Sequence, residues 1–144
     1  WNALGLRRTD GAVLGSAEML ASVIVPAGSG GPAFLAYDNF RTTMVWNRST
    51  FYAISVGHLA DRFMGEPDIE HMPSTEERAL ARNDVLEMQQ LLNQLGHDVG
   101  EPDGVLGSRT RAGVRQFQLA AAIPADGYAS YDMLLALREH AASR

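Results

Sequence analysis

Two Asp-Gly pairs, Asp103-Gly104 and Asp126-Gly127, constrain the second half of this chain more than any other feature. Asp-Gly marks a turn because the aspartate side chain bonds backbone two residues on, while glycine adopts a positive φ without steric cost. Each pair is followed, four or five residues after the Asp, by a serine able to cap a helix, Ser108 and Ser130. Apolar residues at helical spacing fill the intervals. Val85, Met88, Leu92 and Leu95 form one stripe closed by Gly96, Val114, Phe117 and Ala121 a second, and Leu134 and Leu137 a third. Three short helices sharing one core are predicted over residues 80–144. The two turn segments are otherwise too different to be a tandem repeat.

The first part reads differently. Asp10-Gly11 predicts a hairpin, Ala21 to Val25 is a β-branched run, and Ala33 to Tyr37 resumes as a strand after the glycine-rich turn at 26–31. Gly28 to Gly31 lacks the Lys-Ser/Thr and helix of a phosphate loop, so a turn between antiparallel strands explains it. Asn39 is placed as the N-cap of a short helix carrying Phe40, Thr43 and Met44. Ser49 is placed as the cap of a longer one, whose inner face is Tyr52, Val56, Leu59 and Phe63 and which ends near Gly65. Residues 64–79 hold Glu66, Asp68, Glu70, Glu76 and Glu77 against Arg78, with Pro67 and Pro73, and read as an acidic linker. The fold class is α+β: a small antiparallel β-rich segment with a following helix (1–63), then a separate all-α three-helix module (80–144).

Charge and composition exclude several functions. The net charge is −5, spread as +1 over 1–63, −4 over 64–79 and −2 over 80–144, so no segment suits nucleic acid. With no cysteine there are no disulfides, thiol nucleophiles or Cys-based zinc sites. His58, His71, His97 and His140 lack ligand spacing, so neither a metal nor another cofactor is expected. No run approaches the roughly 20 apolar residues of a membrane span. All 12 basic residues are Arg, which fits a GC-rich bacterial coding sequence. A start at Trp1, without initiator Met or leader, is expected of a processed or excised chain.

The densest polar-aromatic cluster is Tyr37, Asn39, Phe40, Trp46, Asn47, Ser49 and Tyr52. Rings beside amides suit carbohydrate, because sugar C–H faces lie on rings and amides bond hydroxyl and acetamido groups. The competing reading makes Tyr52 and Phe40 core, with Ser49 and Asn39 as caps. Carboxylates sit in turns, in the linker or beside Arg62, and none has the apolar frame that would hold a protonated acid. No catalytic residue is assigned.

The stretch Gly31 to Phe40 (GPAFLAYDNF), then Trp46-Asn47-Arg48-Ser49, Tyr52-Ala53 and Val56 to Arg62 (VGHLADR), resembles the end of the catalytic domain of MltB-type lytic murein transglycosylases. The opening WNALGLRRTDG fits the β-rich part of the same domain. The resemblance implies a bacterial cell-wall enzyme. It cleaves the β-1,4 bond from N-acetylmuramic acid to N-acetylglucosamine, forms a 1,6-anhydro product and uses a single Glu set in a helix far upstream. No Glu here has that setting, so the chain is expected to be a C-terminal piece without its catalytic acid. Trp46 and Tyr52 match aromatic positions lining the family's groove, with Asn47 as their polar neighbour; position 46 is more often Tyr.

Residues 80–140 resemble a type 1 peptidoglycan-binding domain, through Met88-Gln89, Leu92, Gly96, Gly100, Asp103-Gly104, Gly107, Thr110, Phe117-Gln118 and Asp126-Gly127. Gly113 stands where Ala is usual, and Ala122 where Gly is usual. Arg109 and Arg115 are candidates for stem-peptide carboxylates, against a solvated helix face. Expected partners are peptidoglycan glycan strands and stem peptides, for a periplasmic or wall-associated monomer without a transmembrane segment. The competing functions are a non-catalytic wall-binding protein and a protease prodomain. The latter commonly blocks zinc with a Cys that this chain lacks.

Overall fold

The computed structural model describes residues 1–15, 18–70, 72 and 77–143. Of the expected linker, His71 and residues 73–76 lie outside the described residues. Contacts divide the chain into two compact units, Trp1–Pro26 with Pro32–Met72, and Ala27–Gly31 with Pro73–Arg144.

In the first unit β1 (Ser22–Ile24) pairs antiparallel with β2 (Phe34–Ala36), Val23 facing Leu35. The Asp10 turn also forms: Asp10 Oδ1 accepts from Ala12 N–H at 2.9 Å and Gly11 takes φ 81°. No strand flanks it among the described residues, so the expected hairpin is a turn only; the polar Arg7-Arg8-Thr9 run has no apolar face to bury.

Helix α1 (Asp38–Trp46) packs on β2 and on α2 (Thr50–Phe63). Tyr37 stands at the N-cap of α1 without a side-chain bond, and Asn39 lies within the first turn, not at the cap. The extended backbone of Tyr37 starts the helix, its carbonyl accepting from Phe40 N–H at 3.0 Å. Thr42 and Thr43, strand-formers by propensity, donate their hydroxyls to the Asp38 and Asn39 carbonyls at 3.2 and 3.0 Å. Ser49 caps α2 as expected, Oγ accepting from Tyr52 N–H at 3.3 Å.

The expected inner face of α2 is not buried. Tyr52 is 44% exposed, Val56 40%, Leu59 58% and Phe63 82%, while Ala53, at 3%, turns inward. Of the described elements only α1 packs on α2, leaving its apolar stripe unpacked within this unit.

The second unit has the conventional core. Helices α3 (Arg82–Gln94), α4 (Ser108–Ala120) and α5 (Tyr131–Ala142) bury all eight expected residues, Val85, Met88, Leu92, Leu95, Val114, Phe117, Leu134 and Leu137. Val99, Ala129 and Met133 join them. Ser130 caps α5, its Oγ accepting from Met133 N–H at 3.0 Å. Ser108 does not cap α4: Gly107 holds that position and Ser108 is already helical. Glu77 and Arg78, at the end of the expected linker, bond Tyr128 and Asp84, and the Arg78 guanidinium lies 3.9 Å over the Tyr131 ring.

Each Asp-Gly turn is read by a buried glutamine on the preceding helix. Gln89 accepts from the N–H groups of Asp103 and Gly104 at 2.9 Å and donates to Asp103 Oδ1 and Thr110 Oγ1. Gln118 accepts from Gly127 N–H and donates to Asp126 Oδ1, both at 2.8 Å. Hydrogen bonding, rather than sequence identity, makes the two turns equivalent. The Gln89 amide and the Val105 N–H hold the Asp103 carboxyl below its ordinary 3.8. Burial pushes Asp126 up, but the N–H of Tyr128, the Gln118 amide and the N–H of Ser29 bring it below that value. Both carboxylates therefore stabilise the fold above the unfolded value, and the contribution is lost as pH falls through the folded ones. Melting of this unit is expected to be insensitive to these groups from pH 7 to about 5 and to drop below about pH 4. Thermal scans of Asp103→Asn and Asp126→Asn, which lose the titration, should show a shallower drop.

Helices α3 and α4 end in the same motif with different residues. His97 N–H reaches the Leu92 carbonyl at 2.9 Å and Gly96 N–H the Asn93 carbonyl at 3.0 Å. Ile123 N–H reaches Gln118 at 3.0 Å and Ala122 N–H reaches Leu119 at 3.3 Å. Gly96 takes φ 93°, and Ala122 takes φ 56°, against the cost of its Cβ. Ala122→Gly is expected to stabilise the unit by about 0.5–1 kcal/mol and Gly96→Ala to destabilise it by about 1 kcal/mol or more, as denaturant midpoints would show. At Gly113 an alanine Cβ would run into Val99 Cγ1. The glycine is therefore a packing requirement of the 96–100 loop, beyond its loss of helix propensity.

Candidate functional site

The three residues singled out for glycan contact occupy the corner between α1 and α2. Trp46 ends α1 and is 88% exposed. Asn47 leaves the helix in extended conformation, its N–H still bonded to the Thr43 carbonyl at 3.2 Å. Its side-chain Oδ1 accepts from Ser49 N–H at 3.0 Å, which is followed by the Ser49 cap on Tyr52. Two consecutive side-chain-to-backbone bonds thus fix the corner. They orient the Asn47 amide so that its carbonyl is used locally, while Nδ2 makes no hydrogen bond among the described residues. At 44% exposure Tyr52 is not core, and Phe40 is only half-buried. An exposed indole, an exposed phenol and a free amide donor make a surface suited to a sugar's C–H face and acetamido carbonyl.

At the other end of α1 lies a cavity of about 390 Å³ lined by Glu18, Met19, Leu20, Tyr37, Asp38 and Asn39. Tyr37 and Asn39 belonged to the cluster visible in the sequence. Glu18, Met19 and Leu20 did not, because they lie in irregular chain with no periodicity to read.

Arg109 and Arg115 are not brought together. Six residues apart on α4, they point to different turns: the Arg109 guanidinium lies over Gly100, and Arg115 Cβ lies beside Gly127. Neither forms an ion pair among the described residues.

Among the described residues, five carboxyls are displaced and all of them downward: Asp10 by the Ala12 N–H, Asp68 by the Ile69 N–H and His58, and Glu87 by Arg138, besides Asp103 and Asp126. Protonating a leaving group at neutral pH requires the opposite displacement. Among the described residues no three His, Asp or Glu side chains converge as a metal site, and no helix is long and apolar enough to cross a membrane.

Residues 1–61 match the "Transglycosylase SLT domain" family and residues 81–137 the "Putative peptidoglycan binding domain" family. No curated protein sequence matches the chain. Among solved structures it is similar to SltB3 from Pseudomonas aeruginosa in complex with NAG-anhNAM-pentapeptide, with 39% identity and a TM-score of 0.89. The SltB3 complex with NAG-NAM-pentapeptide matches at 38% identity and the same TM-score. In both cases the match covers 96% of this chain but 37% of the SltB3 chain. The chain thus pairs transglycosylase SLT sequence in its first part with a peptidoglycan-binding domain in its second, and is similar across both to part of SltB3.

Proposed function

We propose that this chain binds peptidoglycan as the C-terminal portion of a periplasmic, wall-associated lytic transglycosylase. The complete parent cleaves the β-1,4 bond between N-acetylmuramic acid and N-acetylglucosamine, leaving a 1,6-anhydro end. The observation that carries this reading is the bonded Trp46-Asn47-Ser49-Tyr52 corner, within a chain similar over 96% of its length to SltB3 holding peptidoglycan fragments. Trp46 and Tyr52 stack on the sugar rings, and Asn47 Nδ2 donates to an acetamido or hydroxyl oxygen. Residues 80–144 hold the wall, with Arg109 and Arg115 offering separate contacts to stem-peptide carboxylates, and 64–79 tether the two parts.

The downward displacement of Asp10, Asp68, Glu87, Asp103 and Asp126, with the absence of any Glu in the family's catalytic setting, supports a narrower statement about the chain itself: it binds without cleaving. It should co-sediment with purified peptidoglycan and release no anhydro-ended products above a buffer blank. Detection of such products would overturn this.

Asn47 separates binding from folding. Asn47→Asp keeps the oxygen that accepts from Ser49 N–H but loses the free donor; Asn47→Ala loses both. Both substitutions are expected to lower turnover by the complete parent more than tenfold, about 1.4 kcal/mol of transition-state stabilisation. Only Asn47→Ala should lower the melting temperature. If activity falls only in step with folded protein, the corner is packing and the groove assignment is wrong.

A further inference from the structure

We propose that the cavity at the start of α1 is a second sugar subsite, one disaccharide away from the Trp46 corner, and that it takes an uncharged N-acetylglucosamine unit. The inference rests on the glycan reading of that corner. Asn39 and Trp46 are seven residues apart, so their side chains leave the same face of α1, separated by about 10 Å of helix rise. That distance is close to the repeat of a β-1,4-linked disaccharide. Thr42 lies between them on that face, and Asn39, Thr42 and Trp46 are all exposed. An amide, a hydroxyl and an indole therefore mark one continuous track along a single rigid element.

The cavity at the far end has the composition of a sugar site. It is about 390 Å³, with the Tyr37 ring and the Met19 and Leu20 side chains as apolar walls and Asn39, Asp38 and Glu18 as polar ones. Carboxylates accept hydrogen bonds from sugar hydroxyls. Two in one cavity repel the lactyl carboxylate of a muramic acid, so the neutral sugar of the repeat is selected. Because units one disaccharide apart on an alternating strand are alike, this choice sets the register at the Trp46 corner as well.

The test uses the full chain and β-1,4-linked N-acetylglucosamine oligomers, titrated by calorimetry. A tetramer reaches both ends of α1 and a dimer reaches one, so the tetramer should bind at least about tenfold tighter. Tyr37→Ala should reduce the tetramer to the affinity of the dimer and leave the dimer unchanged. Asn39→Asp, which keeps the shape of the side chain but loses its amide N–H donor to the sugar, should do the same if Tyr37→Ala perturbs the start of the helix. Equal affinity for dimer and tetramer, or a tetramer advantage that survives both substitutions, overturns the second subsite. Trp46→Ala should weaken both oligomers. If it leaves dimer binding untouched, the corner assignment itself fails, which is a distinct result.

Discussion

Replacing Phe117 by alanine is expected to destabilise the three-helix unit by about 3–5 kcal/mol. The ring is 3% exposed and lies among Met88, Leu92, Val114, Leu134 and Leu137, side chains that cannot all collapse into the space it leaves. It also makes edge-to-face contacts, with His140 at 5.0 Å and His97 at 6.1 Å between ring centres and both near perpendicular. Domains of this size have about 5–15 kcal/mol in all, so the variant would retain little. Urea denaturation of residues 80–144 expressed alone measures it. A cost below about 1 kcal/mol would place Phe117 outside the core.

Gln89→Ala is expected to cost the same unit about 3 kcal/mol, although no apolar contact of similar size is lost. Gln89 is 2% exposed, and its amide holds the N–H groups of Asp103 and Gly104, the Asp103 carboxylate and the Thr110 hydroxyl. Truncation leaves the buried Thr110 hydroxyl and the half-buried Gly104 N–H without this partner, while the exposed Asp103 carboxylate keeps its solvent. Gln89→Leu, which restores volume but no hydrogen bond, should recover little, whereas a simple cavity would be largely filled by it. Gln118→Ala, which removes two such bonds, should cost less. Comparing the three variants by denaturation decides the matter: if Gln89→Leu is as stable as the parent, the glutamine is only filling space.

The three-helix unit was legible in the sequence because its apolar residues repeat at helical spacing and its breaks carry glycine. Met88, Leu92 and Leu134 are where the period puts them. Residues whose role depends on a distant partner were not legible. Gln89 and Gln118 look like exposed polar positions until the turns fold back onto them. Gly113 looks like a weak helix residue until Val99 is brought against it. Ser108 looked like a cap because Ser so often is one, yet the chain enters α4 through Gly107. In the first part, the Tyr52-Val56-Leu59-Phe63 period was real, but burial depends on what covers it, and the described residues supply no cover. The Trp46-Asn47-Tyr52 corner was visible as a cluster. The Asn47-to-Ser49 bond that leaves only the amide donor free depends on backbone geometry.

The burial of a single apolar side chain, Ala53, between α1 and α2 sets how fast that corner exchanges its amide protons with solvent. Amides of α3, α4 and α5 lie around a closed core, so most should exchange only when the whole unit opens. Those of α1 and α2 can exchange through local openings that disturb little else. In deuterium the two regions should separate clearly, with α1 and α2 labelled first. A saccharide seated along α1 would then be detected as slowed labelling of that helix, without any change in the rest of the chain.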